Sequence, residues 1–375
     1  MRNKQKHVGL LVEPLHGYGN LILDGIARWV HANPGWRVAV FDGERSELLK
    51  MARTWQGDGI ICTLTDEEFV AAAESRDFPV VNVAGRYDKH RIPSVLGDDA
   101  AAGRLAAEYF IDRGFTHFGF TGGTSSKFSM DRFLGFQQRI EQAGHSVSTF
   151  NSPLGAELEL GNWIKNQTIP FALLASSDRR ATSVIQACWQ SKLNVPEQVS
   201  VMGMGNYRQL CELSTPTLSS IDLDMETRGF EAASLLFRLM SGDPAPSAPL
   251  RVPPVGVVTR RSSDTYAYDD PDLGKALRFI HDNAHKSIKV TDVVKATNIS
   301  RRSLENRFST HFSRTLHDEI WRVHFDRAKQ LLTTTDLSLQ QVAERSGFRT
   351  APALANLFKL KTGLTPRTYR AEHRR

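Results

Sequence analysis

Cysteine is scarce in this chain. Three thiols, Cys62, Cys188 and Cys211, lie far apart in 375 residues. An odd, scattered set offers neither a disulfide framework nor the paired spacing of a zinc site, so all three are expected as small buried hydrophobes in a reducing cytosol. No apolar run approaches the ~20 residues that a membrane span requires. The basic start "MRNKQKHVGLLVEP" leads into an amphipathic helical pattern, without the apolar core and small-residue cleavage site of a signal peptide. A cytoplasmic protein with no membrane partner is expected. Catalytic motifs are missing as well. The glycines of "GFTGGT" and "GMGN" make no dinucleotide fingerprint, and no Walker A loop is present. None of the twelve histidines has metal-binding helical spacing with an acidic partner, and no serine or cysteine sits in a nucleophile motif. The residues argue for no enzyme, no metal and no cofactor.

What is present is an ordinary globular composition, 41% apolar and 23% charged. The length exceeds the ~250–300 residues at which one core stops growing, so at least two domains are expected. Charge is distributed unevenly. From Pro271 to Arg375 there are 20 Lys+Arg against 10 Asp+Glu, while the whole chain carries +6, so the remainder carries −4. An acidic body with a basic tail suggests that one domain meets a polyanion and the other does not.

The first 264 residues alternate short apolar runs with helical patterns: "HVGLLVEP", "WRVAVFDG", "GIICTL", "PVVNVAG", "SVLGDD", "HFGFTGG", "FALLASSD", "VSVMGMGN". Such runs separated by helices predict parallel sheet covered on both faces, and about ten strands predict two α/β lobes with a cleft between them. Ligands of parallel α/β lobes bind at the carboxyl ends of strands. Polar residues follow the runs there: Glu13, Asp98 with Asp99, Asp178 and Asn206, and Asp131 with Arg132 near the start of the helix after "GFTGG". Carboxylates, carboxamides and arginine can hold sugar hydroxyls, although each of Asp98, Asp178 and Asn206 is equally suited to cap a helix.

Residues 265–271 read as a linker, closing on Pro271, and the strand pattern ends there. From 272 the tail is all helical. Leu273, Ala276, Leu277 and Ile280 share one face. Two short helices follow, in "VTDVVKATNI" and "SRRSLENRFSTHF", with Ser300 as the N-cap of the second. A long helix in 315–334 places Leu316, Ile320, Val323, Ala328 and Leu331 on one stripe. The short pair then recurs in "SLQQVAERSGF", where Ser338 and Gln341 form a capping box, and "TAPALANLFKLKTG". Two helix-turn-helix units joined by a ~30 Å helix nearly match the ~34 Å of one DNA turn. In the first unit Leu304, Phe308 and Phe312 form the buried stripe. Arg301 and Arg302, Glu305, Asn306 and Ser309 are then left to face guanine, cytosine and adenine edges. In the second, the outward positions Thr350, Ala351, Pro352, Ala355 and Asn356 are mostly short or apolar, while Arg349, Lys359, Lys361 and Arg367 suit phosphates. The first unit is expected to carry most of the sequence discrimination.

The last ~100 residues resemble the AraC/XylS-type DNA-binding domain, on "RAKQLL" (327–332), "LSLQQVAERSGF" (337–348), "FKLKTGLTP" (358–366) and "TYR" (368–370). That resemblance places base reading on Arg302, Glu305 and Asn306, and in the second unit on Ala351, Pro352 and Asn356. Residues ~6–264 resemble the periplasmic-binding-protein-like effector domain of LacI/GalR-type repressors, on "GDDAAAGRLAAEYFIDRGFTHFGFTGG" (97–123), "DRFLGFQQRIEQAG" (131–144) and "VPEQVSVMGMGN" (195–206). The order of the two parts is similar to XylR-type xylose regulators, down to "YGNLILDGIARW" (18–29) and "RVPPVGVVTRRSSD" (251–264). The resemblance implies a cytoplasmic, dimeric, sugar-responsive activator of sugar catabolism genes. Its implied partners are promoter DNA, a sugar such as D-xylose and, as a further candidate, RNA polymerase. It implies a sugar pocket of Glu13, Tyr18, Asp98, Arg132, Asp178 and Asn206. The sequence departs from the pattern at Asn20, where relatives carry arginine, and at Gly205, where they carry an acid. Two other readings stand beside this one: a DNA binder whose front domain serves dimerisation or a non-sugar ligand, and a cytosolic sugar-binding protein.

Overall fold

A computed structural model of the chain describes residues 5–12, 18–41, 43–87, 91–123, 126–151, 155–267, 270–312 and 314–373. They form two compact units, Met1–Thr265 and Tyr266–Arg375.

The first unit has two α/β lobes. In one, β1 (Lys6–Leu11), β2 (Trp36–Phe41), β3 (Gly59–Cys62) and β4 (Val80–Asn82) form a wholly parallel sheet in the order β2-β1-β3-β4. β3 and β4 are buried throughout, as expected of near-continuous apolar strands covered on both faces. β5 (Val95–Gly97) continues from β4 through a single parallel bridge, Asn82 to Ser94, and pairs with β11 (Leu250–Val252). In the other lobe β6 (His117–Thr121), β7 (Val147–Phe150), β8 (Phe171–Ala175), β9 (Val199–Met204), β10 (Ser219–Asp222) and β12 (Gly256–Val258) take the order β12-β10-β9-β8-β6-β7. All pairings here are parallel except that of β12, which runs antiparallel to β10. The expectation of purely parallel sheet fails at this edge for a topological reason. β12 follows β11 after three residues, too few for a helical crossover back to the starting end of the sheet.

The chain passes between the lobes three times. It leaves β5 for the helix Asp99–Ile111, which packs on the helix Lys127–Gln142 of the second lobe. It leaves β10 for the helix Met225–Met240, which returns to pack on the helix Tyr18–Ala32 of the first lobe. The step from β11 to β12 is the third passage. At the first helix pair, Gly103 and Gly135 let the two backbones meet: a Cβ on either would overlap the carbonyl of Arg132 or of Ala100. Cys62, Cys188 and Cys211 are all buried free thiols. Burial pushes the Cys62 and Cys188 thiols up to about 12, so they stay protonated and unreactive.

The second unit is helical: Pro271–Asp282, Val290–Lys295, Arg301–Phe312, Leu316–Thr334, Leu339–Arg345, Ala351–Thr362 and Pro366–His373. Of its helix starts, Ser300 and the box of Ser338 and Gln341 act as read from the sequence, and two further caps join them. Asp270 accepts from the N–H groups of Asp272 and Leu273. Thr315 with Asp318, and Ser338 with Gln341, make reciprocal capping boxes. The long helix spans two cores. One gathers Leu273, Leu277, Ile280, Leu304, Phe308 and Ile320; the other gathers Ala328, Leu332, Val342, Leu354 and Phe358. The expected stripe of the long helix shifts at its end: Leu332 is fully buried and Leu331 only partly, because the last turn packs into the second core. No described helix is long and apolar enough to cross a membrane.

Candidate effector cleft and DNA-binding face

In the first unit the polar side chains expected at strand ends divide into two networks. Tyr18 opens its helix and donates from Oη to the Val83 carbonyl just past β4, at 2.6 Å. The same oxygen accepts from Nη1 of Arg228 at 3.1 Å, so one phenol joins the ends of two elements. Glu13 lies outside the described residues. Asp98 follows β5 and serves as a cap: its Oδ1 accepts from the Ala101 N–H at 2.9 Å. Its neighbour Asp99 takes the arginine instead. Arg132 places Nε 2.8 Å and Nη2 2.8 Å from Asp99 Oδ1, and donates from Nη1 to the Ser176 carbonyl at 2.5 Å. Both partners of this ion pair are buried.

The second network lies at the carboxyl ends of β8, β9 and β10. Asp178 begins the helix after β8. Its Oδ1 accepts from Ser220 Oγ at 2.5 Å and its Oδ2 from the Tyr207 N–H at 2.7 Å. Burial raises the Asp178 carboxyl above its usual range, against the opposing pull of Ser220, Tyr207, Cys211 and Arg132. Asn206 adopts a left-handed conformation, φ 52°, and reaches two charged neighbours. Its Nδ2 donates to Asp222 Oδ2 at 3.1 Å, and its Oδ1 accepts from Arg260 Nη2 at 3.0 Å. Gly205 has φ 127°, and a Cβ there would sit 3.3 Å from Asp178 Oδ2. An acid at 205 would therefore press against an already buried carboxylate.

The structure thus links Asp178 and Asn206 directly through Ser220, with Arg132 acting on Asp178 by charge, and sets Tyr18 apart with Arg228. Asp99 is one of the strand-end residues singled out in the sequence, whereas Asp222, Arg228 and Arg260 are not. Asp222 ends a strand and was open to the same rule that selected Asp178. Arg228 sits inside an amphipathic helix, where nothing local separates it from a solvated arginine. Several buried polar groups at these strand ends lack a hydrogen-bond partner among the described residues: Thr63 Oγ1 after β3, Thr121 Oγ1 at the end of β6, Ser129 Oγ in the next helix, and Nε and Nη2 of Arg228. Buried polar groups in native proteins are nearly always paired, so these orphans near the ends of parallel strands are candidate ligand contacts.

In the second unit, Arg301, Arg302, Asn306 and Ser309 are exposed on the helix Arg301–Phe312, opposite the buried Leu304 and Phe308. Glu305 is half-buried and held by Arg301, Nε to Oε1 2.9 Å. Arg307 is tied to Asp270 at 3.0 Å. On the helix Ala351–Thr362 and just before it, Arg349, Thr350, Asn356, Lys359 and Lys361 are all exposed, as are Pro352 and, on the next helix, Arg367. Thr350 is the N-cap, its Oγ1 accepting from the Ala353 N–H at 3.4 Å. Ala351 is partly buried against the second core. The two outward faces differ as the sequence suggests: one offers long hydrogen-bonding side chains, the other short ones rimmed by cations.

Comparison with known proteins places three domains in this order. Residues 7–96 match an XylR N-terminal domain, residues 107–263 a periplasmic binding protein-like domain, and residues 293–372 a helix-turn-helix domain. The chain is 27% identical over 385 residues to the xylose operon regulatory protein of Escherichia coli K12, covering 99% of this chain and 98% of that protein. It is 27% identical over 391 residues to the xylose operon regulatory protein of Haemophilus influenzae, covering 99% of each. Among solved structures, that of a xylose-binding transcription activator, XylR, matches with a TM-score of 0.65 and 26% identity, covering 100% of both chains. The chain therefore carries an XylR-type N-terminal domain, a periplasmic-binding-protein-like domain and a helix-turn-helix domain in one polypeptide.

Proposed function

We propose that this chain is a DNA-binding transcription regulator controlled by a sugar such as D-xylose, and not an enzyme. The observation that carries the reading is the set of orphaned buried polar groups near the strand ends of the two-lobed unit, in a chain whose other unit presents two helix-turn-helix faces. A sugar bound there gives those groups their missing partners, and it favours the closed arrangement of the lobes by the difference between its affinities for closed and open states. That difference is the energy available to change DNA binding. The regulator acts in the cytoplasm as a homodimer on paired half-sites. Activation of sugar catabolism genes brings RNA polymerase in as a further partner. Within the site, Tyr18, Arg132, Asp178 and Asn206 shape the seat. In the tail, Arg302 and Asn306 read bases, while Arg349, Lys359 and Lys361 hold phosphates.

Calorimetry of the full chain with D-xylose and a panel of pentoses and hexoses tests the reading. Saturable heat with one sugar supports it. Silence across the panel and across the corresponding sugar acids, from a folded protein, contradicts it.

A further inference from the structure

Arg228 is 3% exposed, yet its guanidinium is only half used. Nη1 donates to Tyr18 Oη, and that phenol is in turn spent on the Val83 carbonyl. Nε and Nη2 have no partner among the described residues. These two nitrogens form one edge of the planar group, two parallel N–H donors in the geometry that matches a carboxylate oxygen for oxygen. The nearby carboxylate, Asp99, is engaged by Nε and Nη2 of Arg132. Position 205, where the XylR-type pattern puts an acid, holds glycine, and Asn20 carries no charge.

A guanidinium cannot shed its proton to relieve burial. Left unpaired in the interior it is costly, and an ionised partner relieves that cost more than a neutral hydroxyl pair does. Arg228 stands in the first turn of the helix that follows the second lobe crossing, beside Tyr18 and against Gly97, where β5 ends. It therefore lies among the strand ends of the first lobe, between the carboxyl end of β5 and Tyr18.

We infer that the free edge of Arg228 receives a carboxylate of the effector, so that the ligand class is a sugar acid, an aldonate or uronate, in preference to the neutral sugar. This rests on the sugar-binding reading above and narrows it. Tyr18 is then the positioning residue that fixes the guanidinium plane through Nη1.

Calorimetry of the full chain with D-xylonate, D-xylose and the neutral amide of D-xylonate tests it without any variant. The acid is expected to bind on the order of ten-fold or more tighter than either neutral compound. Arg228→Lys, which keeps the charge and loses the fork, is expected to give up most of that preference, with its melting temperature recorded to show a folded protein. Xylose binding as tightly as xylonate, or the amide matching the acid, overturns the inference and leaves the sugar-binding reading standing. No heat from any of the three, nor from a wider panel of sugars and sugar acids, overturns both. A sugar phosphate binding where xylonate does not overturns the assignment of a carboxylate.

Discussion

Arg132 pairs with Asp99, not with the neighbouring Asp98: its Nε and Nη2 each lie 2.8 Å from Asp99 Oδ1, in a buried ion pair completed by the Ser176 carbonyl. The pair fastens the helix that begins at the first lobe crossing to the helix after β6. Removing one partner leaves a buried charge uncompensated, which costs about 3–5 kcal/mol, whereas removing both costs less. Arg132→Met is therefore expected to lower stability by about that amount, and Asp99→Leu combined with Arg132→Met to recover a large part of it. Urea unfolding of the single and double variants, followed by tryptophan fluorescence, measures the coupling. Additive losses would show that the pair does not act as a unit.

His324 supplies a prediction about pH. It is buried in the long helix of the second unit, where burial lowers its imidazole to about 4. The folded state thus holds a neutral ring, while the unfolded chain takes up a proton below ~6.5. Between those values the unfolded state binds more protons, so the stability contributed is complete above ~6.5 and falls as pH drops toward ~4. The full span amounts to on the order of 3 kcal/mol. The melting temperature of the second unit should drop between pH 6.5 and 4.5, and His324→Leu should flatten that slope. An unchanged slope in the variant contradicts the assignment.

Gly347 ends the second short helix pair's first member with φ 77°, and a Cβ there would lie 2.5 Å from His324 Nε2 and 2.7 Å from the Lys286 carbonyl. Gly347→Ala combines backbone strain with a clash, and a loss of at least ~1–3 kcal/mol is expected in thermal unfolding. A variant as stable as the parent would mean that the turn can be remade at no cost.

The two helix-turn-helix faces should respond differently to substitution. Arg302→Ala and Asn306→Ala are each expected to cost ~1–3 kcal/mol on the cognate site and to relax base preference beneath the first unit. Arg349→Ala, Lys359→Ala and Lys361→Ala should weaken binding to all sequences alike, each reducing the slope of log affinity against log salt by about 1. Binding selections on randomised duplexes, run with each variant, separate the two outcomes. Equal loss of base preference from both groups would contradict the division of labour.

Much of the tail was legible because its signals are local. Ser338 and Gln341 are three residues apart and cap one helix end; Leu273, Ala276, Leu277 and Ile280 share a face through helical spacing alone. Eight strands of the first unit, β1 to β6, β8 and β9, were legible as apolar runs for the same reason, whereas the more polar β7 and β10 were not among them. What escaped depends on partners distant in sequence. Which of Asp98 and Asp99 meets Arg132 is decided by a helix 33 residues away. Arg228 gains its meaning from Tyr18, 210 residues earlier. The antiparallel course of β12 follows from where the chain re-enters the second lobe, which no composition records.

The most direct measurement is the affinity of the full chain for a duplex selected from random sequence, titrated in D-xylose and in D-xylonate. A ligand-controlled regulator should bind that duplex with an affinity that changes several-fold at saturating effector, and steeply with salt in either state. The same affinity with and without every ligand shown to bind would contradict the coupling between the sugar cleft and the DNA-binding face.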